Sequence, residues 1–264
     1  MPEFSEHPAR HIQEITEAAS VHTTLIEDAC IDKDCIEDLR VYLTVDSQTA
    51  LNGAVSGRAV SGELLHVQAA VKPISFHRGH YAIDLTFYYR IEGEITSGQV
   101  RPVPIEGLSV FSKRVVLRGA SSAAKTFTSS QAQFDPDRYY AAALPEAVIE
   151  AVDPIVLASH VADAGGEEQD PVEVELPQAI LDQFDAPLVL DGARRQLFVT
   201  LGQFSTVRLE RSAQLLLPVF DSYVPDKACS EEAGEEEAPC EQFSRVEFPV
   251  DVFYPSPAGT QSVG

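Results

Sequence analysis

The chain has 264 residues, 44% of them hydrophobic, and its 41 acidic and 19 basic side chains give a formal net charge of −22 at pH 7. The apolar fraction is typical of a folded protein and argues against a disordered chain. The charge argues against nucleic acid as a partner, because such a surface repels phosphate groups. The first residues lack the apolar run of a signal peptide and no stretch is long enough to span a bilayer, so we expect cytoplasmic synthesis and no membrane partner.

Composition divides the chain into a body and two ends. Residues 1–20 are polar without a persistent apolar face, and we expect them to form a flexible N-terminal arm. Residues 21–254 are expected to form a single β-rich body, followed by a flexible tail over 255–264. Within the body, the glycine-containing acidic segment 164–170 is the candidate for an internal boundary, and the acidic segment 226–241 predicts a solvated loop.

Alternation of apolar and polar residues, the pattern of a half-buried strand, begins at residues 39–45. The same pattern predicts strands over residues 65–71 and 81–91, joined by a hairpin turn at 77–80. The strand over 81–91 has the most regular alternation, and one of its faces is expected to be buried: Tyr81, Ile83, Leu85, Phe87, Tyr89 and Ile91. Its other face is expected to be exposed to solvent.

Two further regions have less regular patterns. Residues 108–117 change parity around Phe111, which is typical of a strand with a bulge. Residues 144–164 predict two short helices, because Pro145 and Pro154 each suit a first helical position.

The C-terminal part of the body is predicted to be β structure. Apolar residues of one parity over 197–219 predict a β meander with turns near Gly202 and Ser212, and a last strand is predicted over 246–252. The expected fold class is therefore mainly β, an antiparallel β-sandwich-like body with a few short helices.

Four cysteines fall in two close pairs, Cys30 with Cys35 and Cys229 with Cys240. Short separations favour ring closure within each pair, so we expect two local disulfides in an oxidising setting, each contributing about 2 to 3 kcal/mol. An all-thiolate zinc site is the alternative, although the spacings are looser than those of structural zinc sites.

An acidic segment over residues 27–38 places six carboxylates around two of these thiols. Carboxylate oxygens are calcium ligands, so a calcium site is one interpretation, although the segment does not fit an EF-hand loop. The favoured interpretation is an acidic turn that precedes the first strand.

A general-base cluster is conceivable at His77, Arg78, His80 and Asp84, because histidine titrates near neutral pH. These residues fall at the predicted hairpin turn, where polar side chains are expected in any case. The sequence contains no nucleophile elbow, no glycine-rich phosphate loop and no HExxH pair. We therefore assign no catalytic residue, no metal ligand and no cofactor.

Several segments resemble a family of clostridial sporulation-associated proteins that includes cysteine-rich exosporium proteins, which build the crystalline outer layer of spores. The likeness starts with VHTTLIEDAC (21–30) and DKDCIEDLRVYL (32–43), whose order of residues is specific. Shorter segments extend it along the chain: VKPISFHRGHY (71–81), EAVDPI (150–155), VPDKAC (224–229) and FPVDVFYP (248–255).

The resemblance implies a non-enzymatic structural protein that self-assembles, made in the mother-cell cytoplasm and deposited on the spore surface. Its partners would be other copies of the chain and other spore-layer proteins. With only four cysteines, extensive covalent cross-linking between subunits is not expected. Strand edges or faces with aromatic positions such as Tyr42 and Tyr88 are compatible with association, but ordinary strand residues explain them as well. The alternative function is a soluble adaptor that anchors other coat proteins.

Overall fold

The computed structural model describes residues 21–98, 101–120, 144–163, 176–215, 240 and 243–253. The predicted arm, internal boundary and tail, and most of the predicted acidic loop, lie outside these residues. The strands are β1 (Val21–Leu43), β2 (Ser56–Pro73), β3 (His80–Thr96), β4 (Val103–Arg118), β5 (Glu146–Ala151), β6 (Ile155–Asp163) and β7 (Arg195–Leu215). The helices are α1 (Val45–Asn52), α2 (Gln178–Leu181) and α3 (Val250–Phe253). No helix in the described part of the chain is long and apolar enough to cross a membrane.

All strands belong to one antiparallel sheet that nearly closes into a barrel. The order is β2-β3-β4-β1-β7-β5, and β6 also pairs with β7. Strand β7 therefore contacts β1 along one edge and β5 and β6 along the other. The predicted mainly-β fold with an antiparallel body and a few short helices is confirmed.

Side chains rather than a backbone ladder bridge the seam between β2 and the β5–β6 side. The amide of Ala59 donates a hydrogen bond to Ser159 Oγ at 3.0 Å. The amide of Leu64 donates to Asp153 Oδ1 at 2.9 Å. These contacts hold one half of β2 against β6 and against the break that precedes β6, so side chains bridge the gap in the nearly closed sheet.

Strand β1 pairs with β7 up to Val41 and then with β4 at Tyr42 and Leu43. A glycine allows this close approach, because a Cβ at Gly107 would lie 2.6 Å from the carbonyl oxygen of Tyr42. Register shifts at Ile26/Asp28 and Ile36/Leu39 mark two irregularities along β1.

The barrel interior holds the main apolar core. The predicted face of β3 is buried there, and residues 197, 199, 201, 207 and 209 of β7 line the opposite side. The hairpin turn between β2 and β3 is confirmed, since 74–79 connect the two paired strands.

A second, smaller core lies on the outer face of β3 and β4. It consists of Tyr88, Leu108, Ile180 and Phe184, with α2 covering the strands. Tyr88 is only 1% exposed, so the expectation that the outer face of β3 is wet is wrong at this position.

The same covering explains the change of parity in β4. Strands β3 and β4 pair without a register shift, so the predicted bulge is wrong. Leu108 contributes to the outer core, whereas Val115 and Leu117 contribute to the interior core. Two apolar faces on one regular strand therefore produced the parity change.

The two helices predicted over 144–164 are wrong, because this region forms β5 and β6. Both strands pair with the edge of β7 that does not contact β1, and Pro154 lies in the break between them. Pairing with a long neighbouring strand overrides a local helical preference, as tertiary contacts commonly do. Proline is tolerated here because it falls outside both ladders.

The predicted meander is a single strand in its described part. Strand β7 runs through Gly202 and Ser212 without a turn, and its register with β1 continues past both residues. Gly202 instead admits an aromatic ring, because a Cβ there would lie 2.8 Å from the Phe243 side chain. The strand predicted over 246–252 is also wrong, since irregular chain leads into α3.

Burial on β3 predicts a parity-dependent response to mutation. Leu85 is 1% exposed and Phe87 is fully buried, so Leu85→Ala or Phe87→Ala should lower the free energy of unfolding by about 2 to 5 kcal/mol. Thr86→Ala, on the outer face, is the matched control and should change it far less. Urea denaturation followed by circular dichroism measures all three, and equal small effects would contradict this placement of β3.

Candidate functional site

A buried charged cluster lies inside the barrel. The predicted acidic turn before residue 39 is wrong, because β1 runs through the whole segment and points alternate residues inward. Asp32 and Asp34 are 5% and 4% exposed, and both carboxylates contact Lys113 Nζ of β4. We call these three residues the interior ion cluster.

Polar side chains of β7 and β3 surround the interior ion cluster. Ser205 pairs in register with Asp32, and Gln203 pairs with Asp34. Ser205, Gln203 and Tyr89 are fully buried. Their Oγ, Oε1 and hydroxyl atoms have no hydrogen-bond partner among the described residues. The core of this barrel therefore contains one polar layer between apolar ones.

Burial and charge shift the pKa values in this layer. Burial, and next the neighbouring Asp34, raise the pKa of Asp32 above its usual range, and Lys113 only partly offsets them. Burial lowers the pKa of Lys113, but the two carboxylates outweigh burial and the net pKa is raised. Burial, with a contribution from Asp34, also raises the pKa of Tyr89. The lysine is therefore held protonated and the tyrosine neutral at neutral pH.

The cluster joins β1 to β4 where their backbones are not paired. An ammonium ion between two carboxylates satisfies charges that would otherwise be costly to bury. Its contacts require one specific placement of β4 beside β1. Lys113 was not identified from the sequence. Its position in β4, between two residues of the interior face, is the pattern that would have predicted a buried lysine.

The six carboxylates of residues 27–38 do not converge on one point. Glu27 accepts a hydrogen bond from Arg211 at 3.0 Å, and Asp28 accepts one from the Arg118 amide at 2.8 Å. Strand alternation and the register shifts distribute the six carboxylates over different surroundings. Calcium binding requires several oxygens that converge on one point.

In the candidate general-base cluster at the β2–β3 turn, Asp84 is hydrogen-bonded to Arg114 and Lys72 and not to either histidine. The rings of His77 and His80 are 6.2 Å apart, edge to face. Hydrogen bonds from Arg114 and then Lys72 hold the pKa of Asp84 down, at about 2. A carboxylate with so low a pKa is a weak base at neutral pH.

A disulfide ties the C-terminal residues to the outside of the barrel. Cys35 is bonded to Cys240 with a Cα–Cα distance of 5.3 Å. We call Cys240 and residues 243–253 the C-terminal strap. Phe243 packs on Phe204 with ring centroids 4.8 Å apart, and Lys33 Nζ donates to the Val246 carbonyl at 2.7 Å.

The predicted local pairs, Cys30 with Cys35 and Cys229 with Cys240, are therefore wrong. Cys30 and Cys35 are five residues apart on one strand, an odd separation that points them to opposite faces. Cys30 is fully buried inside the barrel and is itself disulfide-bonded. Cys229 lies outside the described residues.

Open grooves border the described part of the barrel surface, and two of them are large. One, of ≈ 660 Å³, lies at the end of the barrel beside His80, Arg118 and Gly119. The other, of ≈ 600 Å³, is lined by several acids, including Asp46, Glu92, Glu94, Glu106 and Asp185.

No protein-family model, curated protein or solved structure matches this chain.

Removing the lysine should expose the cost of burying two like charges. Lys113→Met keeps a long apolar side chain but leaves Asp32 beside Asp34, so the free energy of unfolding should fall by about 3 to 5 kcal/mol at neutral pH. Adding Asp32→Asn to this variant removes one charge and should restore part of the loss. Urea denaturation of the two single variants and the double variant gives the coupling directly.

The pH dependence of the same variants has a defined sign. The folded chain raises the pKa of Asp32 above its ordinary 3.8, so the proton is held more tightly in the folded state. Stability from this group is present below that value and is lost as pH rises through the folded pKa. Asp32→Asn should remove this component, and an unchanged pH profile would contradict the assignment.

The disulfide assignment is tested by mapping non-reduced peptides. The peptide containing Cys35 should be recovered linked to that containing Cys240, since the strap brings them together. Recovery of Cys30 linked to Cys35 would contradict the placement of these residues on opposite faces of β1.

Proposed function

We propose that the chain is a non-enzymatic structural protein that assembles with itself through β2 and forms part of a bacterial spore surface layer. The main support is the pairing of β2. Its residues 65–73 pair with β3 and have no second strand partner among the described residues. We call this segment the free edge. Unpaired strand edges are templates for pairing with another chain.

Charge favours a second copy of the chain as the occupant of this edge. Residues 64–83 contain no acid and include Lys72 and Arg78, although the whole chain carries 41 acids. Two copies of so acidic a protein repel each other over most of their surfaces. An acid-free edge is where they can approach at least cost.

Exposure supports the same proposal. Gln68, Ala69 and Ala70 are exposed on the free edge. At the tip of the adjacent β2–β3 turn, the Phe76 side chain is fully exposed. An exposed aromatic side chain beside a strand edge adds apolar area to a contact made by backbone hydrogen bonds.

Edge pairing between identical segments gives a two-fold dimer, because each copy offers the same strand. A continuous layer needs a second contact in addition. The spore surface enters the proposal through the resemblance to sporulation-associated proteins, which are coat components rather than enzymes. In this proposal the interior ion cluster positions β4 beside β1 and takes no part in catalysis.

An adaptor is the second candidate function. The acidic groove at Asp46, Glu106 and Asp185 favours this alternative, because five carboxylates beside an open surface suit a basic segment of another protein. In that case the chain would remain monomeric and bind a different spore-layer protein.

Self-association is tested by placing an acid on the free edge. Ala70→Glu should weaken the dimer by about tenfold or more, because the added charges face each other across the contact. Val60→Glu is the matched control, since Val60 is exposed on the half of β2 that faces β6. Size-exclusion chromatography with light scattering measures both, and salt should preserve or strengthen the wild-type dimer.

The outcomes separate the two functions. A wild-type chain that stays monomeric at high protein concentration and in salt would overturn self-assembly and favour the adaptor. Equal effects of the two variants would overturn the free edge as the contact. Immunogold labelling of spores of the organism that encodes the chain tests the location separately, and label confined to the cytoplasm would contradict it.

A further inference from the structure

Three metal-ligating groups converge where the strap meets β1. The Sγ atoms of Cys35 and Cys240 and a carboxylate oxygen of Glu37 all lie within 4.8 Å of one another. We propose that these residues bind Zn²⁺ when the disulfide is reduced, so that the redox state decides whether a covalent bond or a metal ion anchors the strap. This proposal is independent of the assembly through β2.

The fold explains why the three groups meet. Cys35 and Glu37 are two residues apart on β1, and Glu37 lies within the register shift between Ile36 and Leu39. Asp38, the next residue, adopts a left-handed backbone conformation with φ 47°. The strap lies beside this irregularity and supplies Cys240, which is 205 residues from Cys35 in sequence.

The noncovalent contacts of the strap hold this arrangement in addition to the disulfide. Phe204 lies on the outer face of β7, yet it is only 4% exposed because strap residues cover it. Its ring centroid lies 4.8 Å from that of Phe243 and 5.6 Å from that of Phe248. Reduction of the disulfide would therefore leave the two thiols close together rather than release them into solvent.

The redox step balances with a dithiol as the reductant. Two electrons and two protons pass from the dithiol to the disulfide, which gives two thiols, while the dithiol becomes a disulfide. Zn²⁺ then displaces one proton from each thiol. Two thiolates and one carboxylate carry three negative charges in a small space, and a divalent cation offsets most of that repulsion.

The ligand set suits zinc by its chemistry. Zn²⁺ binds thiolate and carboxylate ligands in tetrahedral geometry, and three protein ligands leave a fourth position for water. Calcium and magnesium are disfavoured, because both prefer oxygen ligands. The candidate zinc site thus combines one cysteine from each of the two pairs visible in the sequence, and adds a glutamate.

Zinc binding is tested on the full-length chain after anaerobic reduction. Reduced protein is equilibrated with Zn²⁺ and dialysed, and bound metal is counted by mass spectrometry, with affinity measured by competition against a chromophoric chelator. We expect one Zn²⁺ per chain in the reduced form and none at this site in the oxidised form. Co²⁺ used in place of Zn²⁺ should give the thiolate-to-metal charge-transfer absorption.

Matched variants assign the ligands. Glu37→Gln should weaken Zn²⁺ binding by about tenfold or more without preventing disulfide formation. Asp38→Asn removes the neighbouring carboxylate, which contacts His160 at 3.6 Å, and should bind Zn²⁺ like the wild type. Cys35→Ser retains Cys30 and Cys229 but should lose the metal, so it separates this site from binding by the other cysteines.

Hydrogen exchange supplies a readout besides metal content. Peptides from residues 243–253 should be protected in the oxidised and in the reduced, zinc-bound chain, and less protected in the reduced chain without metal. Reduced wild type that retains its circular dichroism but binds no Zn²⁺ would overturn the proposal. Undiminished binding in Glu37→Gln or in Cys35→Ser would overturn it as well.

Discussion

The long antiparallel pairing of β1 with β7 is the constraint on which the rest of the structure depends. Successive side chains of a strand point to opposite faces, so each residue of β1 belongs either to the barrel interior or to its outer surface. Asp32 and Asp34 lie inside, and Cys35 lies outside under the strap. Strand β7 pairs with β5 and β6 along its other edge.

The interior ion cluster introduces charge into the polar layer of a core that is apolar on either side of that layer. Such clusters add little net stability, because desolvation offsets much of the attraction, but an incomplete cluster is strongly destabilising. Lys113 must therefore face both aspartates whenever the barrel is closed. This requirement specifies how β4 lies beside β1 over the region where no backbone ladder joins them.

The outer surface is asymmetric in both covering and charge. The strap and α2 cover two parts of it with apolar residues such as Phe243 and Ile180. The free edge of β2 has no acidic residue, and no second strand pairs with it among the described residues. The described surface of a protein with a formal charge of −22 thus includes a segment where a second copy would meet little repulsion. The strap and the free edge lie on different surfaces, so the proposed edge pairing would be independent of how the strap is anchored.

Period-two alternation by itself determined the mainly-β class, the buried face of β3 and the set of β7 residues that share one apolar face, because alternation follows directly from strand geometry. Tertiary structure alone decided the remainder. Helix α2 packs on the outer face of β3 and buries Tyr88 there. Residues predicted to be helical form β5 and β6 because they pair with the edge of β7. Cys35 pairs with a residue that is distant in sequence because the strap returns to β1. Lys113 is recognisable as the partner of two aspartates only when the barrel brings β1 and β4 together, since local spacing contains no information about which strands become neighbours.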